Sequence, residues 1–343
     1  MNIPDENIPF GTALEDARNV FRKWLYLPDT GAVDFTLGAI AANRLEGDPV
    51  WGLLVGSPGT GKSEILSAAG GLEDAHPAAT LTEASLLSGT PKRDSAVDAK
   101  GGLLREIGDY GIVVAKDFGS VLSMNRDARA QLLAALREIY DGSWTRHVGT
   151  DGGRKLHWAG KVGLVGGCTP TIDRHHAVMG TMGERFVLYR LPEVDPSTQA
   201  RRALAHAGRE RQMRSELTEV VRSLFVSTAN ARDLTEEEAD RLVTLATLVV
   251  RARSSVERDG HTREIELVPS PEAPTRLVIV LERLLAGLDS LGATRTEAWE
   301  VVTKAALDCV PALRLSALSI LFTADELDTN EVAELARDPD DKR

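Results

Sequence analysis

Apolar and polar positions along this chain follow two different periods. Short apolar runs without polar interruption are typical of strands that are buried on both faces of a parallel sheet. Between them, apolar residues recur at the three- and four-residue spacing of amphipathic helices. The pattern therefore predicts an α/β fold, a parallel sheet flanked by helices. The predicted strands are WGLLV (51–55), IVVA (112–115), VGLVG (162–166) and FVLYRL (186–191).

Residues 1–48 predict a helical segment that precedes the first strand. Apolar side chains at 13–25 have helical spacing, and Pro28 and Gly31 then break the helix. A second helix is predicted from Asp34, whose carboxylate would be its N-cap. We therefore divide the chain into an N-terminal helical segment (1–48), a sheet-containing core (49–195), a helical domain (196–320) and a tail (321–343).

The helical domain carries several recognisable helix starts. Asp195 is a predicted N-cap with Pro196 at the first helical position, and Thr235 to Glu238 form a predicted capping box. A further helix is predicted from Thr275 to about Gly287. Arginines outnumber glutamates at 201–222, which indicates either a solvated helix face or a surface that faces phosphates.

The clearest chemical signal is GSPGTGKS at 56–63, which follows the pattern G-x-x-x-x-G-K-[ST] between a predicted strand and a predicted helix. Its glycines let the backbone curl so that successive N–H groups face phosphate oxygens. Lys62 can reach the β- and γ-phosphates, and the Ser63 hydroxyl can join a Mg²⁺ shell. We therefore expect ATP and Mg²⁺ as cofactors. The expected binding residues are Gly56, Ser57, Pro58, Gly59, Thr60, Gly61, Lys62 and Ser63.

A phosphate loop of this kind needs a carboxylate at the end of a neighbouring strand. Asp117 follows the apolar run 112–115 and is the candidate. Its neighbour Lys116 is basic, so only one acid is present where two are usual. Asp117 would either bind Mg²⁺ through water or orient the attacking water; the alternative is a solvent-facing strand end.

Composition excludes several classes of protein. The 343 residues have 40 Lys and Arg against 51 Asp and Glu, a net charge of −11, which excludes a globally basic nucleic-acid coat but not a local basic groove. The 2 cysteines cannot form a disulfide framework or a cysteine-rich zinc site. No apolar stretch approaches the roughly 20 residues of a membrane span, and the first residues lack a signal-peptide pattern. We expect a cytoplasmic protein without a membrane partner.

The order of these elements resembles that of AAA+ ATPases, particularly the helicase group of minichromosome-maintenance proteins and related phage- and plasmid-type ATPases. The resemblance covers residues 49–191 well and 271–321 loosely. It implies an AAA+ core at 49–195 and a helical lid at 196–320. In that group the second motif resembles GVxxIDEF, whereas this chain has GIVVAKDF at 111–118. Lys116 thus stands where the Mg²⁺-associated Asp is expected, and Asp117 where the catalytic Glu is expected.

The same resemblance implies roles for three further residues. Thr169 corresponds to the sensor 1 position, although a simple strand-end turn would also explain it. Arg185 resembles the arginine finger that acts on a neighbouring subunit's nucleotide, with Arg190 as a second candidate. Arg276 resembles the sensor 2 arginine of the lid, the alternative being a solvated helix face. An arginine finger implies a homo-oligomeric ring or spiral, and we expect a hexamer.

Residues 143–159 predict two strands joined by a turn at Asp151-Gly152-Gly153. The resemblance implies a hairpin that projects into the pore of a ring and contacts nucleic acid. A tryptophan at 144 or 158 could stack on a base; the alternative is a solvated hairpin with buried tryptophans. The cations expected to pair with phosphates are Arg146, Arg154, Lys155 and Lys161.

These features predict an ATP-hydrolysing motor, a helicase or translocase, that acts on nucleic acid. The alternative is a nucleotide-dependent switch or protein remodeller with weak or no turnover. For the tail at 321–343 we expect either the start of a winged helix, with Thr329 as the N-cap of its second helix, or disorder.

Overall fold

The computed structural model describes residues 12–90, 100–149, 153–180, 185–226, 228–254, 256–259, 262, 264–323 and 327–336. The strands in chain order are β1 (Trp51–Val55), β2 (Ala75–Ala78), β3 (Tyr110–Ala115), β4 (Ser143–Val148), β5 (Arg154–Ala159), β6 (Lys161–Cys168), β7 (Phe186–Arg190), β8 (Glu257–Arg258) and β9 (Ile265–Leu267). Among the described residues, five parallel strands form the central sheet in the order β2, β3, β6, β1, β7. Two antiparallel pairs, β4 with β5 and β8 with β9, lie outside it.

The helices fall on both sides of this sheet and in the C-terminal half. Those before β7 are α1 (Ala13–Trp24), α2 (Gly31–Arg44), α3 (Lys62–Ala69), α4 (Glu83–Leu86), α5 (Leu103–Ile107), α6 (Gly119–Leu122), α7 (Arg126–Tyr140) and α8 (His176–Gly180). Those after β7 are α9 (Pro196–Ala205), α10 (Glu210–Leu224), α11 (Glu236–Arg253), α12 (Thr275–Ser290), α13 (Arg295–Asp308), α14 (Ala312–Thr323) and α15 (Thr329–Leu335). The predicted α/β class, with a helical C-terminal half, is confirmed.

The sheet separates two apolar clusters. Ile112 and Val114 of β3 belong to the cluster that contains Ile65 of α3, together with residues of α1, α2 and α10–α13. Val113 and Ala115 belong to the other cluster, which contains residues of α7 and of the hairpin β4–β5. Because alternate residues point to opposite faces of a strand, burial on both faces explains why the strands read as uninterrupted apolar runs.

The helix α12 packs closely against α2. A Cβ atom on Gly287 would lie 2.6 Å from the backbone nitrogen of Ala42, and one on Gly38 would lie 2.7 Å from Leu288 Cδ2. The absence of these Cβ atoms therefore permits the close approach of the two helices. The predicted end of this helix near Gly287 is wrong, because the glycine is an interior packing position and α12 continues to Ser290.

The predicted N-cap role of Asp34 is also wrong. The helix α2 begins at Gly31, after Thr30, and Asp34 is buried inside it. Arg18 Nε of α1 donates to Asp34 Oδ1 at 3.0 Å, and Arg18 Nη1 donates to Glu297 of α13 at 2.6 Å. A tertiary ion pair, rather than a capping bond, thus explains this aspartate.

Other local expectations are confirmed or extended. Asp195 accepts a hydrogen bond from the Thr198 amide at 2.7 Å, and the capping box of Thr235 and Glu238 is present. The predicted hairpin forms, with Val148 opposite Arg154, while Asp151 and Gly152 of its turn lie outside the described residues. The domain boundaries at 48, 195 and 320 stay predictions.

At the C-terminal end, α14 and α15 contact each other. The N-cap of α15 is Asp328, which accepts from the Glu331 amide at 3.0 Å, and Thr329 is instead its first helical residue. No single helix among the described residues is long and apolar enough to cross a membrane, although α13 and α14 together, bent by 113°, meet that requirement by length and composition. The expected disorder at the end of the tail concerns residues outside the described ranges.

The ion pair that joins α1 to α2 provides a stability test. Changing Arg18→Met leaves the buried Asp34 carboxylate without its partner, which should lower the free energy of unfolding by about 3–5 kcal/mol. Arg22→Met is the matched control, because Arg22 lies on the same helix in an exposed pair with Glu15 and should cost about 1 kcal/mol or less. Urea denaturation measures both; equal losses in the two variants would contradict the role of Asp34.

Candidate nucleotide-binding site

The loop 56–61 joins β1 to α3 at the carboxyl end of the sheet. The Gly56 amide donates to the carbonyl of Cys168 on β6 at 3.2 Å, which continues the strand pairing into the loop. Gly59 and Gly61 have φ angles of 85° and 87°, in the left-handed region that favours glycine. Gly61 is the N-cap of α3 and no side chain caps the first turn; the Glu64 amide donates to the Gly61 carbonyl, so the amides of Lys62 and Ser63 are the ones open to an anion.

The predicted binding residues differ in exposure. Ser57, Pro58, Gly59 and Ser63 are exposed, whereas Thr60 is half-buried and donates its hydroxyl to the Ser57 carbonyl at 2.8 Å. The exposed residues form the outer rim of the loop, where a ligand can reach them. The Ser63 hydroxyl therefore lies at the start of α3 and faces solvent.

The Lys62 ammonium is folded back into the loop. Its Nζ donates to the carbonyls of Gly56 at 2.6 Å and Ser57 at 2.8 Å, and lies 3.2 Å from Thr60 Oγ1. The residue is 9% exposed, and no carboxylate among the described residues pairs with it. Burial lowers the pKa of Lys62. A buried cation without a counter-charge is costly in free energy.

Asp117 lies at the same edge of the sheet. The strand β6 separates β1 from β3, with Val55 opposite Cys168 and Ala115 opposite Gly166. Just beyond β3, Asp117 is exposed. Burial raises the pKa of the Cys168 thiol to about 12, and both Lys62 and Asp117 act electrostatically on that thiol. The lysine and the carboxylate are thus brought to one place, as the sequence predicts.

Thr169 and Arg190 also lie at this edge. Thr169 directly follows β6, is half-buried, and has its hydroxyl oxygen 2.6 Å from that of Thr171. Arg190 lies opposite Val55 at the end of β7, and its guanidinium pairs with both carboxylate oxygens of Asp173 at 2.7 and 3.1 Å. Thr169 is therefore near the loop, while Arg190 is already engaged by a carboxylate.

Arg185 and Arg276 lie at the opposite edge. Arg185 precedes Phe186, which pairs with Trp51 at the start of β1, so it lies roughly 20 Å along the strands from the loop at about 3.3 Å per residue. It is 4% exposed and donates to Asp141 at 2.7 and 2.9 Å. Burial raises the pKa of Tyr140 to about 12, and Arg276 and Arg185 both act on its hydroxyl. Arg185 is therefore far from its own loop, and Arg276 lies within electrostatic range of the same tyrosine.

The hairpin cations are in different environments. Arg146 donates to Glu83 at 3.0 Å and to the Leu87 carbonyl at 2.5 Å, and Arg154 donates to the Thr90 carbonyl at 3.2 Å. Lys161 donates to the Leu45 carbonyl at 2.6 Å, and burial lowers its pKa to about 8. Lys155 is exposed. Intrachain contacts thus occupy three of the four predicted cations.

Both hairpin tryptophans are buried. Trp144 and Trp158 are directly opposite each other and are 8% and 4% exposed. The indole nitrogen of Trp158 donates to the Gly108 carbonyl at 2.7 Å. In this conformation their rings pack in the core of the sheet domain and cannot stack on a base.

Beside the loop lies a cavity of about 220 Å³ that the sequence analysis missed. Trp24, His206 and Met213 line it together with loop residues 59–61, and Gln199 donates to the Gly59 carbonyl at 2.9 Å. Both ring nitrogens of His206 are buried without a hydrogen-bond partner among the described residues. Trp24 is the last residue of α1, whereas Gln199, His206 and Met213 lie in or next to the consecutive helices α9 and α10, far along the chain, so no local motif could have indicated the cavity.

Comparisons with known proteins do not identify a family for this chain. No family profile matches the chain, and no curated protein does. Among solved structures, the chain is similar to one described as the A form apo structure of the NrS-1 C-terminal region, at 12% identity and a TM-score of 0.30. The match covers 69% of this chain and 54% of that one, so the chain spans about half its length. At these values nothing about the site follows from the likeness.

Proposed function

We propose that the chain binds ATP at the loop 56–63 and hydrolyses it as an AAA+-type ATPase. The observation that carries the proposal is the Lys62 ammonium, which is 9% exposed and has no carboxylate partner among the described residues. Loop amides, the first turn of α3 and this cation all border one space at the carboxyl end of a parallel sheet. That is where open α/β sheets bind ligands, and helix N-termini favour phosphate.

The cavity beside the loop is our candidate for the base site. It adjoins residues 59–61, so a nucleotide with its phosphates on the loop would direct its base there. Trp24 and Met213 supply apolar surface, while the unpartnered nitrogens of His206 can pair with the polar edge of a purine. Gln199 and His206 both belong to the region after β7, so nucleotide would also tie this helical region to the sheet.

Hydrolysis would take place between Lys62 and Asp117. The oxygen of a water molecule bonds to the γ-phosphorus, and the bond from that phosphorus to the bridging oxygen breaks, leaving its electron pair on ADP. The exposed Asp117 carboxylate would orient this water and accept its proton, with the Thr169 hydroxyl as a further hydrogen-bonding group at the same edge. Lys62 would stabilise the charge on the transferred phosphoryl group.

The residues present fit the Mg²⁺ of this enzyme class poorly. Mg²⁺ is held through one or two carboxylates, waters and substrate phosphates. The predicted ligands, Ser63 and Asp117, supply one hydroxyl and one carboxylate, which is the smallest set that such a site uses. The positive charge of Lys116 beside them opposes a second cation. The step proposed above accordingly uses protein groups alone.

Assembly into a ring or spiral is part of the proposal. Because Arg185 and Arg276 lie at the edge opposite the loop, they could reach a nucleotide only when it is bound by a neighbouring copy. Arg185 would first have to leave Asp141, which holds it at 2.7 Å. Such an exchange of partners would couple nucleotide binding to contact between subunits.

A motor that acts on nucleic acid and a nucleotide-dependent switch are the two forms this ATPase could take. The exposed Lys155 on β5 supports a hairpin contact with phosphates, as in a translocase. The engaged Arg146, Arg154 and Lys161 and the buried tryptophans favour the switch. We retain the motor as the main proposal, since phosphate contacts alone suffice for a grip that tolerates any sequence.

Steady-state ATP hydrolysis, measured with and without single-stranded and duplex DNA, tests the proposal. Asp117→Asn should reduce turnover about 100-fold with little change in ATP affinity, because the amide cannot accept the proton. Asp127→Asn, an exposed aspartate on α7, is the control and should leave turnover unchanged. Stimulation by DNA supports the motor, and slow turnover that DNA does not change supports the switch. Turnover that survives in Asp117→Asn would contradict the assigned role.

A second test concerns the base site. His206→Phe keeps an aromatic ring but removes both nitrogens, so the Kd for ATP should rise about 10-fold, the effect of one or two hydrogen bonds. The Kd for inorganic triphosphate should not change, because it has no base. His147→Phe on the exposed face of the hairpin is the control. Calorimetric titration measures both ligands; equal losses for ATP and triphosphate would rule out a base site here.

A further inference from the structure

Lys116 is the first residue after β3 at the edge that carries the phosphate loop. Ala115 lies opposite Gly166 of β6, which in turn lies opposite Leu53 of β1. Lys116 is therefore two strands away from the end of β1, which is about 10 Å at the spacing of neighbouring strands. The side chain is exposed, and its flexible four-carbon stem gives the ammonium long reach.

The glycine at 167 brings the Lys116 backbone close to the loop helix. A Cβ atom on Gly167 would lie 2.9 Å from the Lys116 carbonyl oxygen and 3.1 Å from Leu66 Cδ1 of α3. Only a glycine leaves room for both neighbours at these distances. The turn that carries Lys116 is thus separated from the helix that begins at Lys62 by a single residue without a side chain.

The alternation of β3 assigns Lys116 to the side of the sheet where α3 lies. Ile112 and Val114 share an apolar cluster with Ile65 and Leu66 of α3. Continuing this alternation by two residues puts Lys116 on the same face. Lys116 therefore lies on the face of the sheet that α3 covers, at the carboxyl ends of the strands, where the phosphates of a bound nucleotide would lie.

No described residue neutralises Lys116. Its ammonium makes no hydrogen bond or ion pair within the described part of the chain, and the Lys62 ammonium likewise lacks a carboxylate partner. Other cations of this region are engaged: Arg190 pairs with Asp173, and Arg214 pairs with Glu64 of α3. Two lysines without carboxylate partners thus border the same space, at a site where a metal ion and one lysine are usual.

We infer that the Lys116 ammonium takes the place of a metal ion beside the terminal phosphates, so that the chain binds free ATP without Mg²⁺. This inference rests on the proposed nucleotide site. The free triphosphate is more negative than its magnesium complex by the two charges of the ion, and the Lys116 ammonium compensates part of that difference. A divalent cation would have to approach against the same ammonium, which reduces the advantage that Mg²⁺ gives in other phosphate loops.

Calorimetric titration of the full chain with ATP, once in EDTA and once in excess Mg²⁺, tests the inference. For the unchanged chain, the two Kd values should agree within about threefold, less than 1 kcal/mol. Lys116→Asp should weaken binding in EDTA by about 10-fold or more, and Mg²⁺ should restore it, because the new carboxylate repels phosphate and attracts the ion. Lys116→Gln should lose affinity in EDTA without gaining a response to Mg²⁺.

The control is Lys100→Asp, which makes the same charge change at an exposed pair with Glu106 and should bind ATP like the unchanged chain in both conditions. Binding by the unchanged chain that requires Mg²⁺, or equal Kd values for Lys116→Asp and the unchanged chain in EDTA, would overturn the inference and leave the nucleotide site standing. Absence of ATP binding in both conditions would overturn the proposed function itself. The comparison of the Kd values in EDTA and in Mg²⁺ uses the unchanged chain, so it tests the inference even if a variant fails to fold.

Discussion

The account depends on one constraint, a lysine ammonium held inside a tight loop by backbone carbonyls and not by a carboxylate. The loop can hold Lys62 this way only because Gly59 and Gly61 adopt left-handed conformations and because the Gly56 amide continues the pairing with β6. The loop directly follows β1, an apolar strand whose residues are all buried. Burying a cation without a counter-charge costs free energy. An anion bound next to Lys62 would reduce that cost. In the proposed function that anion is the triphosphate of ATP.

The charged groups at the carboxyl ends of the parallel strands differ from those at the amino ends. The difference suits a nucleotide site that is shared between two copies of the chain. The carboxyl end carries the loop and Asp117, whose side-chain carboxylate has no hydrogen-bonding partner among the described residues, although its backbone carbonyl accepts from the Ser120 hydroxyl. The opposite end carries Arg185 and Arg276, which act on the same tyrosine, Tyr140. A single copy cannot bring these ends together, because the sheet separates them. The proposed function therefore assigns one end of each copy to the nucleotide of the next, and the pair of the buried Arg185 with the exposed Asp141 is the contact that such an arrangement would have to break.

Predictions from the sequence were correct where a local pattern of residues has a single physical cause. The buried strands follow from apolar runs, and the left-handed turns at Gly59 and Gly61 follow from the glycine spacing, so both were predictable. The edge strand β2 was missed because it is short, half exposed and contains Pro77, so it has no apolar run. Asp34 was misread because its partner Arg18 lies sixteen residues away on another helix. The environments of Lys161 and His206 depend on contacts between elements that are distant in sequence. The spacing of apolar residues along the chain gives no information about such contacts.

The most direct test of the central claim is the stoichiometry and affinity of nucleotide binding. Equilibrium dialysis of the purified chain against radiolabelled ATP should give one bound nucleotide per chain, with unlabelled ADP and ATP as competitors. Replacing Lys62 by Met, which keeps the length of the stem but removes the charge, should abolish this binding at the same concentrations while the melting temperature is kept or raised, because a buried uncompensated cation has been removed. The account would be contradicted if the unchanged chain retained no nucleotide at millimolar ATP, or if the Met variant retained as much as the unchanged chain.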